Sequence, residues 1–104
     1  MVLVLPICEK WFKMIKSGVK LEEYRSISPF YTKRLFYPDG TPKPIKWIEF
    51  RNGYGFSVPY FQIRLLGIER KLPKRGWCPD KFLKTKYYAL KLGAIRNYKR
   101  PKRA

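Results

Sequence analysis

The stretch SGVKLEEYRSISPFY, residues 17–31, decides the fold, because it joins the end of one helix, a polar strand and the start of a second helix. The strand holds five polar or ionisable residues within six positions: Lys20, Glu22, Glu23, Tyr24 and Arg25. Alternate residues of a strand share a face, so Leu21, Glu23 and Arg25 are expected to lie together. Leu21 predicts that this face points inward. Glu23 and Arg25 are therefore expected side by side, at or just inside the mouth of a small barrel.

An inward ion pair must be well matched, since each unpaired buried charge is strongly destabilising. Glu23 and Arg25 satisfy each other in the expected arrangement. The pair can fix the strand and do nothing more, or it can belong to a ligand cleft. The residues of the strand leave both interpretations open.

Hydrophobic periodicity and turn residues predict five strands and two helices in the whole chain. The expected strands cover residues 2–5, 20–25, 45–51, 58–68 and 87–92, and the expected helices cover residues 9–17 and 28–36. Ser28 is expected to cap the second helix, with Pro29 at its first position. Helices near the start and strands after them predict an α+β fold, a small mixed β-barrel of about five strands with two short helices. The domain is expected to span residues 1–95, followed by a basic tail over residues 96–104.

The two central strands alternate between apolar and polar residues. Ile48 and Phe50 are expected to face the core, as are Phe61, Ile63 and Leu65. The alternate positions are expected to face outward: Trp47, Glu49, Arg51, Tyr60, Gln62 and Arg64. The Asn-Gly pair between these strands is the signature of a hairpin turn.

Charge is the strongest feature of the composition. The chain has 24 Lys and Arg residues against 7 Asp and Glu residues, a formal net charge of +17. Such a surplus repels itself in an isolated monomer, and a polyanion that releases counterions on binding would explain it. No long amphipathic basic helix indicates a membrane surface. Nucleic acid is therefore the favoured partner, and a membrane is not expected.

The residues that are missing exclude several kinds of chemistry. The chain has no histidine and only two cysteines. The usual general base, the usual zinc ligand and the Ser/His or Cys/His nucleophile pairs are therefore absent. Cys8 and Cys78 cannot form a metal site alone, so no metal or cofactor is expected. One disulfide between Cys8 and Cys78 is possible, but reduced thiols in a cytoplasmic protein are the simpler interpretation. No apolar run approaches the roughly 20 residues of a membrane span.

The aromatic-bearing helix followed by SGVKLEEYR resembles the signature of the ASCH domain. The matching positions are Ile15, Gly18, Lys20, Glu23 and Arg25. The later FRNGYG and the closing YYALKLG also look like small ASCH proteins of bacterial and phage type, and the resemblance covers about residues 3–93. It implies a PUA-like β-barrel with a cleft between barrel and helices, and nucleic-acid binding. Some members of the family are RNA-directed nucleases, and others hydrolyse the amide of an acetylated cytidine.

The resemblance bears on catalysis through one substitution. In the amidohydrolase members, the motif lysine acts with a threonine nucleophile on the same strand and a glutamate elsewhere. Lys20 matches the lysine, but Glu23 stands where the threonine is expected, so that chemistry is not carried over. Lys20 beside Glu22 or Glu23 is expected to stay protonated, which suits a phosphate or oxyanion partner better than a base. The candidates for a catalytic role are Lys20, Glu23 and Tyr24, and a binding role needs fewer assumptions.

Two further groups of residues suggest contacts to nucleic acid. Arg51, Asn52 and Tyr54 combine a cation, an amide and a stacking ring, which suits base recognition, although an ordinary turn with an exposed tyrosine fits as well. Basic residues supply the rest, interleaved with Trp77, Phe82, Tyr87 and Tyr98, which favours single strands. In the segment 69–86 and the tail, the candidates for binding are Lys74, Arg75, Lys99, Arg100, Lys102 and Arg103.

The sequence thus predicts a nucleic-acid-binding ASCH domain, with RNA favoured, a basic surface and a polar cleft at Lys20, Glu23 and Arg25. An alternative is an enzyme that uses this cleft on RNA or a modified nucleoside, as a ribonuclease or an acetylcytidine amidohydrolase. A second alternative is a structural component of a ribonucleoprotein.

Overall fold

Five strands and two helices make up the fold in the computed structural model, which describes residues 1–97. In chain order they are β1 (Val2–Ile7), α1 (Glu9–Lys16), β2 (Glu22–Arg25), α2 (Pro29–Leu35), β3 (Trp47–Asn52), β4 (Tyr60–Lys71) and β5 (Tyr87–Arg96). A single 3₁₀ turn, Asp80–Phe82, interrupts the long segment between β4 and β5. The predicted α+β class with five strands and two short helices is confirmed.

The strands form one curled half-barrel sheet in the order β1-β3-β4-β5-β2. β1 pairs with β3 in parallel, and the other neighbours are antiparallel. The ladder between β4 and β5 shifts register on either side of Leu65. Such irregularities bend a sheet and increase its twist. β1 and β2 are left at the two edges of the sheet.

The core fills the concave side of this sheet. α1 packs there through Phe12 and Ile15, and the Phe12 ring lies 4.9 Å from that of Phe61. α2 adds Leu35, which is fully buried, and the next residue, Phe36, has its ring 5.5 Å from that of Tyr88. The buried strand residues include those expected to face inward: Ile48, Phe50, Phe61, Ile63 and Leu65. The apolar alternation of β3 and β4 was therefore predicted correctly.

The helix boundaries agree closely with the expected ones. α1 begins at Glu9 as expected and ends at Lys16, and Gly18 follows it with a φ of 83°. The Ser28 side chain accepts a hydrogen bond from the backbone N–H of Tyr31, and Pro29 opens α2. The expected Ser28 cap is confirmed.

The start of β2 differs from the prediction. The strand begins at Glu22, so Lys20 and Leu21 belong to the connection after α1. Leu21 is 54% exposed and does not mark an inward face, whereas Lys20 is 1% exposed. Strand alternation does not extend to Lys20 and Leu21, because both residues precede the strand.

The remaining strands also differ in length. β4 and β5 are longer than expected, and β5 reaches Arg96, one residue past the predicted end of the domain. The connection between β3 and β4 is a loop over residues 53–59, where residues 52–57 were expected, and Gly53 and Gly55 adopt positive φ values in it. Of the predicted basic tail (residues 96–104), the structure describes Arg96 and Asn97, and residues 98–104 lie outside the described residues. Within residues 1–97, no helix has the length and apolar character to cross a membrane.

Candidate functional site

A buried network of three charged side chains lies where β2 begins. Lys20 Nζ lies 3.2 Å from Glu23 Oε1 and donates a 2.6 Å hydrogen bond to the backbone carbonyl of Trp77. Arg25 approaches the other carboxylate oxygen, with Nε at 3.1 Å and Nη2 at 2.7 Å from Glu23 Oε2. Glu23 therefore balances one of two cations, and the group carries a net charge of +1.

The connection after α1 sets the position of Lys20. Once Gly18 ends the helix, the backbone N–H groups of Val19 and Lys20 both donate to the carbonyl of Met14 at 3.0 Å. This tight turn of the backbone directs the Lys20 side chain inward, beneath the rings of Trp11 and Tyr24. Its Nζ lies 5.4 Å and 4.7 Å from the two ring centroids, within the range of cation–π attraction.

Burial and pairing act in opposite directions on the two cations. Burial lowers the pKa of Lys20, and the attraction of Glu23 only partly opposes this. Burial also acts to lower the pKa of Arg25, but Glu23 and the Tyr31 hydroxyl outweigh it and the pKa is raised. Arg25 is thus a permanent cation, while Lys20 loses its proton more readily than an exposed lysine.

A second polar group lies beside the first and involves the alternate residues of β2. Glu22 accepts a 2.7 Å hydrogen bond from the Tyr24 hydroxyl and a 2.9 Å bond from Lys71 Nζ, and the backbone N–H of Lys74 donates to the Tyr24 oxygen at 3.0 Å. Burial acts to raise the pKa of Glu22, but the Lys71 and Tyr24 bonds outweigh it and lower the pKa. Burial raises the pKa of Tyr24. These contacts hold the segment after β4 against β2.

An aromatic pocket of about 230 Å³ opens above the charged network. Its walls come from α1, β2, the segment between β4 and β5, and the first residue of β5. The lining residues are Trp11, Glu23, Tyr24, Pro73, Trp77, Cys78, Pro79, Phe82 and Tyr87. Five of the nine carry aromatic rings, and Glu23 contributes a carboxylate. The pocket therefore offers planar apolar walls together with a fixed hydrogen-bond acceptor.

The Glu23 carboxylate gives this pocket a hydrogen-bond acceptor at a fixed position. Oε1 is held by Lys20 alone among the recorded partners in residues 1–97, and a carboxylate oxygen can accept more than one hydrogen bond. An exocyclic amine of a nucleobase is a suitable donor for such an oxygen. The surrounding rings could stack on the base plane. Burial raises the pKa of the Cys78 thiol, so this wall residue is a poor nucleophile.

A larger depression of about 560 Å³ lies between α2 and the loop that follows it. Its lining is Thr32, Lys33, Phe36, Tyr37, Pro38, Gly40 and Lys43, and within the described chain no buried ionisable side chain contributes to it. We therefore take the smaller pocket as the candidate site.

The structure separates the residues predicted for the site. Glu23 and Tyr24 line the pocket, Arg25 lies behind Glu23, and Lys20 lies beneath them, too buried to meet a phosphate directly. Tyr54 is 87% exposed and lines another depression, with Pro6, Ile7, Cys8 and Gly53. Tyr54 therefore does not line the pocket that Glu23 and Tyr24 line.

Arg51 and Asn52 lie away from the pocket at the end of β3. Arg51 pairs with Glu49 at 2.7 Å on the convex side of the sheet, and the backbone N–H of Asn52 donates to Pro59. Lys74 and Arg75 lie close to the pocket: Lys74 Nζ is 4.2 Å from the Trp77 ring centroid, and Arg75 is 3.7 Å from Asp80. Lys99, Arg100, Lys102 and Arg103 lie outside the described residues.

Comparison with known proteins adds nothing to this geometry, since no family model, no curated protein and no solved structure matches the chain. The interpretation of the pocket rests on its own residues.

Several wall residues were not predicted as site residues. Trp11 and Pro73 were not named as site residues, and Cys78 was considered only as a thiol. The only available signal was the interleaving of Trp77, Phe82 and Tyr87 with basic residues, which indicated nucleic acid but not a pocket. The contact of Lys20 with Trp77 spans 57 positions in the chain, and local patterns do not report contacts of that kind.

Proposed function

We propose that this protein is a nucleic-acid-binding domain, with RNA favoured, that accommodates one unpaired base in the aromatic pocket above Glu23. The observation that carries this proposal is the combination of five aromatic rings with a buried, oriented carboxylate in one pocket of about 230 Å³. Planar walls favour stacking, and the carboxylate accepts from an amine edge.

The charge balance supports a polyanionic ligand. In residues 1–97, six of the seven acidic side chains form ion pairs with basic ones, and Asp39 instead accepts hydrogen bonds from Thr41. The acidic residues are thus used within the fold, and the positive surplus is available for phosphates. Around the pocket, the segment between β4 and β5 supplies Lys74, Arg75, Lys81, Lys84 and Lys86, all exposed.

A PUA-like architecture of the ASCH type is part of this proposal. It is supported by the curled half-barrel, by the short helix before β2, and by the position of Lys20, Glu23 and Arg25 between barrel and helices. A cytoplasmic location is proposed as well. The free thiols of Cys8 and Cys78 fit a reducing compartment.

A second candidate function, hydrolysis of RNA or of a modified nucleoside, is favoured by one observation. Burial lowers the pKa of Lys20 next to the pocket, and lysines with lowered pKa values are typical of catalytic sites. Against it, Lys20 is held by Glu23 and by the Trp77 carbonyl, which leaves it poorly placed to reach a substrate.

The test is to titrate the protein into a labelled single-stranded RNA and to divide each sample between a native and a denaturing gel. A salt-sensitive shift with intact RNA supports the binding function. Shortened RNA that is lost in Lys20→Met, with that variant shown to be folded by circular dichroism, supports the hydrolase. No shift at low salt with either oligocytidine or oligouridine contradicts the proposed function.

A further inference from the structure

The convex side of the sheet carries a second polar group, separate from the pocket. We call this surface the outer face and define it by seven residues of β3, β4 and β5: Trp47, Glu49, Arg51, Tyr60, Gln62, Arg64 and Arg96. None of them lines the aromatic pocket. The outer face must therefore be explained on its own.

Two of these residues are buried although they lie on the solvent side of the sheet. Glu49 is 3% exposed and Gln62 is 2% exposed, and Gln62 Nε2 donates to Glu49 Oε1 at 3.1 Å. Glu49 Oε2 accepts from Arg51 Nε at 2.7 Å. Gln62 Oε1 accepts from Arg96 Nε at 2.8 Å and from Nη2 at 2.5 Å. One continuous chain of hydrogen bonds thus links the two guanidinium groups.

This arrangement is a poor way to stabilise a sheet. A buried ion pair is often no better than well-packed apolar residues of similar volume, because of the desolvation of the charges. Glu49 and Gln62 instead hold the guanidinium groups of Arg51 and Arg96 in place before any ligand binds. Donors that are held in place lose less entropy when they bind.

The third arginine is held differently. Trp47 lies beneath two guanidinium groups, with Arg96 at 4.2 Å and Arg64 at 5.9 Å from its ring centroid. A cation–π contact leaves the N–H donors of a guanidinium available for hydrogen bonds. Within residues 1–97, the Arg64 side chain lies over this ring and forms no hydrogen bond or ion pair with a protein group. Its donors can therefore serve a ligand.

The three arginines belong to successive cross-strand pairs on the same face of the sheet. Arg51 is paired with Tyr60, Arg96 with Gln62, and Arg64 with Trp47, so that adjacent rows are two residues apart. At ~3.3 Å per residue, each step is about 6.6 Å and the whole set covers about 13 Å along β4. Against one carboxylate, Glu49, the face has a net charge of +2. Its shape and charge fit an extended anionic chain rather than a single anion.

We propose that the outer face binds the sugar-phosphate backbone of single-stranded RNA as a second contact surface, apart from the base pocket. The inference rests on the proposed nucleic-acid function and adds a second site to it. Guanidinium groups donate two hydrogen bonds to one phosphate. The Trp47–arginine stack adds planar groups on which bases can lie, which favours a single strand over a duplex.

The test is fluorescence anisotropy of a labelled oligouridine with the full chain and three variants, each over a range of salt. Uracil has no exocyclic amine, so this probe limits the contribution of Glu23 in the pocket. Arg64→Gln should weaken binding about tenfold and reduce the log–log salt slope by about 0.7. Arg64→Lys should keep the slope and lose part of the affinity. Lys13→Gln removes one charge from α1, on the opposite side of the sheet, and should have a smaller effect on both quantities.

The outcomes separate this inference from the proposed function. Equal effects of Arg64→Gln and Lys13→Gln would overturn the inference, as would an equal loss on duplex RNA. If the wild-type protein bound neither oligouridine nor oligocytidine, the proposed function would fail as well. If Phe82→Ala in the pocket weakened binding to oligocytidine while Arg64→Gln did not, only the second surface would be rejected. The Arg64 side chain is half-buried and has no hydrogen bond to a protein group within residues 1–97, so an unchanged urea midpoint should show that the variant is folded.

Discussion

Arg25 on β2 donates from Nη2 to the backbone carbonyl of Pro6 on β1 at 2.9 Å, and so joins the two strands at opposite edges of the sheet. The same guanidinium binds Glu23 through Nε and Nη2 and the Tyr31 hydroxyl of α2 through Nη1. Exposed edge strands invite pairing with other chains. Here Arg25 and Arg34, which donates to the Val4 carbonyl at 2.9 Å, occupy acceptors along the edge of β1.

Replacing Arg25 by lysine should therefore destabilise the protein, although the charge is kept. Lysine lacks the planar fork that serves Glu23, Tyr31 and Pro6 at once. We expect the free energy of unfolding to fall by about 2–4 kcal/mol, measured by urea denaturation, because buried acceptors lose their donors. Arg75→Lys, at a site that is 77% exposed, is the matched control and should change it by less than about 0.5 kcal/mol. Equal effects of the two changes would contradict the structural role of Arg25.

Glu23→Gln should be more damaging than its small change in shape suggests. It removes the single anion between Lys20 and Arg25, both largely buried, and breaking a buried pair costs about 3–5 kcal/mol. The double variant Lys20→Met/Glu23→Gln should recover part of this loss, since one of the two cations is then absent. A double-mutant cycle on urea midpoints measures the coupling, expected at about 1–3 kcal/mol. Strict additivity would show that the Lys20–Glu23 contact contributes nothing.

The charged network was partly predictable from the sequence. The pairing of Glu23 with Arg25 followed from strand alternation and is confirmed. The burial of Lys20 did not follow, because the direction of its side chain depends on the backbone turn after Gly18 and not on strand alternation. Leu21 was misplaced for the same reason. Alternation holds only within the hydrogen-bonded part of a strand.

The outer face illustrates a different limit of sequence reasoning. The alternation of β3 and β4 placed Glu49 and Gln62 on the outward side correctly, but it indicated solvent-facing residues. They are buried by their neighbours and bonded to each other, to Arg51 and to Arg96. Such burial depends on side chains from three strands, whose lengths and registers were not known. The pocket was not predicted because its wall residues come from separate parts of the chain.

Acid should weaken the contact between Glu22 and Lys71. The pKa of Glu22 is lowered by folding, so this contact is fully stabilising above the unfolded pKa, about 4.3, and is lost as the pH falls through the lower folded value. At neutral pH, Glu22→Gln should reduce the free energy of unfolding by up to about 1 kcal/mol, since Lys71 is partly exposed. The difference between wild type and variant should shrink below about pH 4 and then disappear. Urea denaturation over a pH series measures it, and a difference independent of pH would contradict this account.

Two substitutions of an aromatic residue by alanine distinguish the contribution of the pocket to binding from that of the loop over residues 53–59. Phe82 lines the pocket and is 37% exposed, so Phe82→Ala should leave the fold intact and weaken single-strand binding by ~1–3 kcal/mol. Tyr54→Ala, in the loop between β3 and β4, removes a ring that is 87% exposed and lies outside the pocket. We expect it to have little effect on affinity for oligocytidine in an anisotropy titration. The reverse order of effects would place base recognition at Tyr54.

Deleting residues 97–104 should test the contribution of the basic tail. The deletion removes four basic residues, Lys99, Arg100, Lys102 and Arg103, and no acidic one. If each meets one phosphate, the log–log salt slope for a single strand should fall by about 2.8, because each neutralised phosphate contributes about 0.7. Affinity should fall about equally for oligouridine and oligocytidine, since phosphate contacts carry no base information. A truncated protein with the wild-type affinity and slope would assign the whole electrostatic contribution to residues 1–96.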